Sequence, residues 1–157
     1  MNRVVDRDNG AKALLKRLAK SGEVTVGIHE AEGQAAKEGD DEGDMQLIDV
    51  AIVHEFGSDD GRIPRRSFIR DWEDEKASEH QEQLRKMGKA VIDGKVDAER
   101  GLAQLGTLYQ GDIQKRISDG IEPALAQSTI DRKGSSKPLI DTGQLRSSVS
   151  HKTTVKK

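Results

Sequence analysis

Four histidines, one dense arginine cluster and no cysteine bound the chemistry open to this 157-residue chain. His54-Glu55 opens like a His-Glu-x-x-His zinc motif, where two imidazoles one helical turn apart hold the metal and the Glu serves as general base. The position required for the second imidazole is Ser58, so the ligand pair is incomplete. His29, His80 and His151 repeat no ligand spacing either. There is no phosphate-cradling Gly-x-x-x-x-Gly-Lys-Ser/Thr, no Gly-x-Ser-x-Gly elbow and no thiol nucleophile. The carboxylates stand in solvated runs rather than in apolar settings that would raise their pKa. No catalytic residue, cofactor or metal is expected, and the chain reads as a non-enzyme.

What remains is recognition by charge. Arg62-Ile63-Pro64-Arg65-Arg66-Ser67-Phe68-Ile69-Arg70 is a basic loop stiffened by Pro64, with Phe68 and Ile69 as anchors. Arg clusters suit bidentate pairing with carboxylate or phosphate. Local pairing with Asp59, Asp60 and Asp71 would explain them equally well. A second basic stretch, Arg132, Lys133 and Lys137, precedes Pro138. Between residues 30 and 44 there are seven acids against one Lys37, while from Arg132 onward seven bases face one Asp141. With a net charge of −2, no global attraction to nucleic acid or membrane follows.

The elements that must position these groups form a single domain, residues 1–157, with a thin core. Apolar residues are 33% and charged residues 34%, close to where burial struggles to offset chain entropy. Burial between subunits would supply what the monomer lacks. The first residues, Met1-Asn2-Arg3-Val4-Val5, contain no apolar signal region, and nothing approaches a membrane span, so a soluble intracellular product is expected.

Leu14, Leu15 and Leu18 predict an amphipathic helix over residues 10–20, capped by Asn9 and closed by Gly22. Val24, Val26 and Ile28 alternate with polar residues as a strand does. Residues 30–44 hold no large apolar group and read as a mobile acidic loop. Asp44 is placed to cap a helix through Met45, Ile48, Ile52 and Phe56 that Gly57 stops. A strand over residues 50–53 competes, but the helix accounts for more residues. Two long helices follow, one after Phe68 and Trp72 that Gly94 breaks, the other over residues 97–118. Gly101, Gly106 and Gly111 inside the second suggest close backbone approach to another element or simple tolerance in a packed helix, and tolerance is the reading preferred.

Pro123 fits N1 of a short helix reaching Lys133. Asp141 with Gln144 has capping-box spacing, and Ile140 with Leu145 has that of a hydrophobic staple. Val149, His151, Thr153 and Val155 then alternate as a terminal strand. The fold class expected is α+β, a small antiparallel sheet (about residues 23–29 and 147–156) packed with several α-helices. Residues 57–67 and 133–140 are the expected contact loops.

Three ordered stretches carry a resemblance. His54-Glu55-Phe56-Gly57 followed by Ile63-Pro64-Arg65-Arg66-Ser67-Phe68-Ile69-Arg70 resembles the "HEFG … iPaRPFlr" signature of tailed-bacteriophage neck and tail-completion proteins. Residues 121–134, with Pro123, Leu125, Thr129, Lys133 and Gly134, resemble that family's next segment. Lys137-Pro138-Leu139-Ile140-Asp141-Thr142-Gly143-Gln144-Leu145 is similar to its closing block. Ser67 stands where the pattern has a second proline, which predicts a less stiff loop.

The resemblance implies a structural virion protein of the neck or tail, a homo-oligomeric ring at the head–tail junction, made in the host cytoplasm. It implies a ring most often of six, joined to neighbouring neck or tail proteins, with DNA passing through without sequence-specific binding. On this reading Arg62, Arg65, Arg66, Phe68, Arg70, Arg132, Lys133 and Lys137 contact a subunit or partner, with the acidic run of residues 30–44 as a candidate counterpart. His54, Glu55, Phe56, Gly57, Pro64, Pro138, Asp141, Thr142, Gly143 and Leu145 form the structural motif. Charge reversal at Arg65 and Arg66 should then block head–tail joining in a folded protein. The alternative is a small nucleic-acid-binding regulator using the basic C-terminal segment, against which stand the net negative charge and the scarcity of stacking aromatics.

Overall fold

The computed structural model describes residues 10–36 and 45–156. In chain order the elements are α1 (Ala11–Leu18), β1 (Ser21–Ile28), α2 (Glu30–Gly33), α3 (Leu47–Phe56), α4 (Arg70–Ile92), α5 (Ala98–Asp119), α6 (Gln127–Lys133), α7 (Gln144–Ser148) and β2 (Val149–Lys156). Among the described residues, seven helices and a two-stranded antiparallel sheet make an α+β fold, 57% helical and 12% strand.

The centre is α5. Its Leu102, Leu105, Tyr109, Ile113 and Ile117 recur every three or four residues and are all buried. This stripe packs beneath the sheet and along α4. Each such side chain taken fully from water contributes on the order of 1.5–3 kcal/mol. Phe68, Trp72, Leu47, Leu139, Leu145 and Val149 complete the core, so side chains from both ends of the chain meet on α5. Trp72, His80 and Tyr109 stack as an aromatic cluster, with His80 Nδ1 2.7 Å from a Glu73 carboxylate oxygen.

The two strands pair as their alternation predicts, Val24 opposite Thr153 and Ile28 opposite Val149. The sheet lies so near α5 that a Cβ at Gly106 would sit 2.5 Å from His151 Cδ2 and 2.8 Å from Val24 Cγ2. Gly101 is constrained less, by the flexible Met87 side chain, whose Cγ lies 2.9 Å from that point. Both glycines therefore answer to close approach, which corrects the expectation of simple tolerance; Gly111, with open space, fits it. Gly106→Ala is expected to destabilise by about 1–3 kcal/mol through overpacking. Gly111→Ala should stabilise by up to about 1 kcal/mol. Urea unfolding of the two variants checks the pair, and equal effects would refute the assignment.

Several ends differ from expectation. Gly10, not Asn9, precedes α1 as its cap, and Asn9 lies outside the described residues. Gly22 sits inside β1 rather than closing α1, and its missing side chain admits Leu102. The first residues of the acidic run form α2, and Ala36 bridges Gln46; residues 37–44 lie outside the described ones. The cap of α3 is Gln46, which forms a capping box with Asp49; Asp44 is not described. Pro123 does not open a helix, since α6 starts at Gln127. Asp141 is not the cap of α7 either. Gly143, at φ 87°, takes that place, because the chain turns there through the left-handed region that glycine tolerates. Ser147 and Ser148 belong to α7, so the terminal strand starts at Val149.

Candidate functional site

Two junctions hold the motif stretches together. At the first, the last turn of α3 turns Glu55 inward. Its carboxylate accepts hydrogen bonds from Ser67 Oγ (2.5 Å) and from the backbone N–H groups of Phe68 (2.9 Å), Ile69 (3.1 Å) and Arg70 (2.9 Å). A helix start leaves such donors without intrahelical partners and carries partial positive charge, so a buried anion suits it. Glu55 thereby caps α4 from another helix. Its oxygens are filled, which leaves no role for them as a general base beside His54. Ser67 Oγ also accepts from Asp71 N (3.1 Å), so the hydroxyl extends the same cap. Gly57 closes α3 at φ 86°, in a turn where a Cβ would meet Ile63 O and Arg65 N at 3.2 Å.

At the second junction Arg66 crosses to residues 57 and 58 positions later. Its Nε donates to Pro123 O (2.7 Å) and its Nη2 to Ala124 O (3.2 Å), while its backbone N–H donates to His54 O (2.7 Å). Only 4% of Arg66 is exposed. The basic loop after α6 behaves alike: Lys133 Nζ donates to Lys137 O (2.7 Å) and Pro138 O (3.2 Å), and Lys137 Nζ donates to Ser118 O.

These links enclose an apolar groove of about 640 Å³ between α3, residues 63–66, residues 124–133 and residues 138–145. Val50, Val53, Leu125, Thr129 and Leu139 form much of its wall. Every stretch that carries the family resemblance contributes to it. Of the expected site residues, His54, Pro64, Arg66, Arg132 and Lys133 line it, as do Pro138, Asp141, Thr142, Gly143 and Leu145.

Glu55, Phe56, Gly57, Arg62, Arg65, Phe68, Arg70 and Lys137 lie elsewhere. Arg62 pairs with Asp60 (3.3 Å), Arg65 with Asp71, and Arg70 stands over the Phe56 ring at 4.8 Å. Two expected contact residues, Phe68 and Arg66, need correction as surface groups, whereas Lys137 stays exposed and Lys133 is half-buried. Phe68 is 1% exposed and belongs to the core, and Arg66 is buried. Lys133 and Lys137 turn their ammonium groups to carbonyls of their own chain. Arg132 stays exposed at the groove.

The groove residues that sequence reasoning missed are the apolar ones. Their signal was present: seven of the ten residues of α3 are apolar, leaving it no polar face.

His54 is the titratable group most altered by this setting. Burial, with the Arg66 guanidinium and the Lys133 ammonium nearby, pushes its imidazole down to about 4. Nδ1 is buried without a hydrogen-bond partner among the described residues. An imidazole whose folded pKa lies below its unfolded value is protonated first in the unfolded chain. The stability it supports is whole above about pH 6.5 and falls as pH drops toward 4, by about 3 kcal/mol in all. His54→Gln is expected to flatten that acid limb. Urea midpoints measured at intervals from pH 7.5 to 4.5 check this, and parallel limbs in both proteins would refute it.

Among the described residues, no group of three or more His, Asp or Glu is placed to hold a metal, and no helix is long and apolar enough to cross a membrane. Compared with family models, with curated proteins and with solved structures, the chain matches none.

Proposed function

We propose that this protein is a structural component of a tailed-phage virion. It assembles as a ring at the head–tail junction, completes the neck or tail, and leaves a channel through which DNA passes. It carries out no catalysis and needs no cofactor. The observation that carries the reading is α3. A helix with seven apolar residues of ten and no continuous polar face suits an interior, yet here only one side of it faces the core, in a chain that is only 33% apolar. Assembly would bury the rest. The resemblance of three ordered stretches supports the same reading, since stretches distant in sequence combine into one apolar recess. The nucleic-acid alternative is weakened by Lys133 and Lys137, whose charged groups are engaged within the chain.

Native mass spectrometry and negative-stain imaging at micromolar concentration test the proposal. Closed rings with a central opening are expected, and neck or tail proteins of the same phage should bind them. A monomer that melts cooperatively and binds none of those proteins would overturn it. A salt-sensitive shift of duplex DNA would instead favour the regulator.

A further inference from the structure

The three sides of α3 differ. Successive helical residues are about 100° apart, so Leu47, Ala51 and Glu55 share the core side, while Val50, Val53 and His54 face the groove. Ile52 and Phe56 fall on a third side and remain 49% and 53% exposed. One helix thus offers both an apolar ridge and one wall of an apolar recess, roughly 130° apart around its axis. We infer that the Ile52–Phe56 ridge of one copy seats in the groove of the next copy, head to tail. This rests on the assembly reading above and specifies its interface.

The occupant is argued from fit and charge. Arg70 stands over the Phe56 ring and leaves that ring half-exposed. The recess, about 640 Å³, has room for an aromatic side chain. Just beyond the ridge, Asp59 is exposed and has no hydrogen bond or ion pair among the described residues. Its neighbour Asp60 is held by Ser58 and Arg62. At the groove, Arg132 is likewise exposed and unpartnered among the described residues. The recess lining carries Asp49 and Asp141 against Arg66, Arg132 and Lys133, so bases outnumber acids there. Ridge plus Asp59 on one copy therefore complements recess plus Arg132 on the next. Because ridge and recess point in different directions, both cannot face a single two-fold partner. The contact is heterologous, and repeating it gives a ring or a filament.

The chain contains no cysteine, so engineered thiols report contacts cleanly. Phe56→Cys and Thr129→Cys are made singly, then mixed and oxidised. The mixture is expected to yield a disulfide-linked dimer and each variant alone none, while the double variant forms a ladder. Asp59→Lys and Arg132→Glu should each raise the concentration needed for assembly about tenfold at low salt, and together restore it. Thermal unfolding monitors folding of each variant. Self-crosslinking of Phe56→Cys alone would show a two-fold contact and overturn the proposal. So would assembled wild-type protein that gives no mixed dimer and ignores both charge changes. Those two results leave the ring reading standing, whereas wild-type protein that stays monomeric and binds no neck or tail protein sinks both.

Discussion

Replacing Glu55 by Ala is expected to lower the unfolding free energy by about 3–5 kcal/mol. The carboxylate gathers one hydroxyl and three backbone donors at the start of α4, in a site closed to water. Removing it leaves those donors desolvated and unpaired. Glu55→Gln should fall between, since its amide keeps one acceptor oxygen but turns an NH2 group toward N–H donors. A small domain is stable by only about 5–15 kcal/mol, so the Ala variant should approach unfolding in a chain with so thin a core. Urea unfolding measures the loss. Hydrogen exchange should show early opening at Phe68, Ile69 and Arg70, ahead of the centre of α5. A loss below about 1 kcal/mol would mean that α4 is held by its packing alone.

Arg66→Glu is expected to abolish cooperative folding, while Arg65→Glu costs no more than about 1 kcal/mol. The two arginines are adjacent in sequence but differ in every physical respect that matters. Arg65 pairs with Asp71 in a partly exposed setting. Arg66 is buried with its guanidinium against two carbonyl oxygens, those of Pro123 and Ala124. A carboxylate there would meet acceptors instead of donors, with Glu122 also nearby. Charge reversal of both arginines is thus no clean probe of assembly, because the Arg66 change acts on the fold. Circular dichroism and solubility of the single variants separate them. A folded Arg66→Glu protein would refute the role given to this link.

Much of the secondary structure was legible in local pattern. Apolar spacing placed α3 and α5, alternation of Val24, Val26 and Ile28 with the terminal valines placed the sheet, and Gly57 marked a true helix end. Caps were read less well, since Asp44 and Asp141 had plausible spacing while Gln46 and Gly143 hold those positions. Caps depend on backbone geometry at one residue, which spacing does not specify.

By itself, then, the sequence determined the longer helices and the alternating strands, and that the core would be thin, because these follow from composition and from periodicity within a few residues. It missed α2 and misplaced the start of α6. The tertiary structure decided what the charged residues do. Glu55 became a cap and Arg66 a strut, while Arg132 stayed at the surface. Whether an ionic group is engaged or exposed depends on which donors and carbonyls arrive from remote parts of the chain. For Arg66 those partners lie 57 and 58 residues away, beyond the reach of any local pattern.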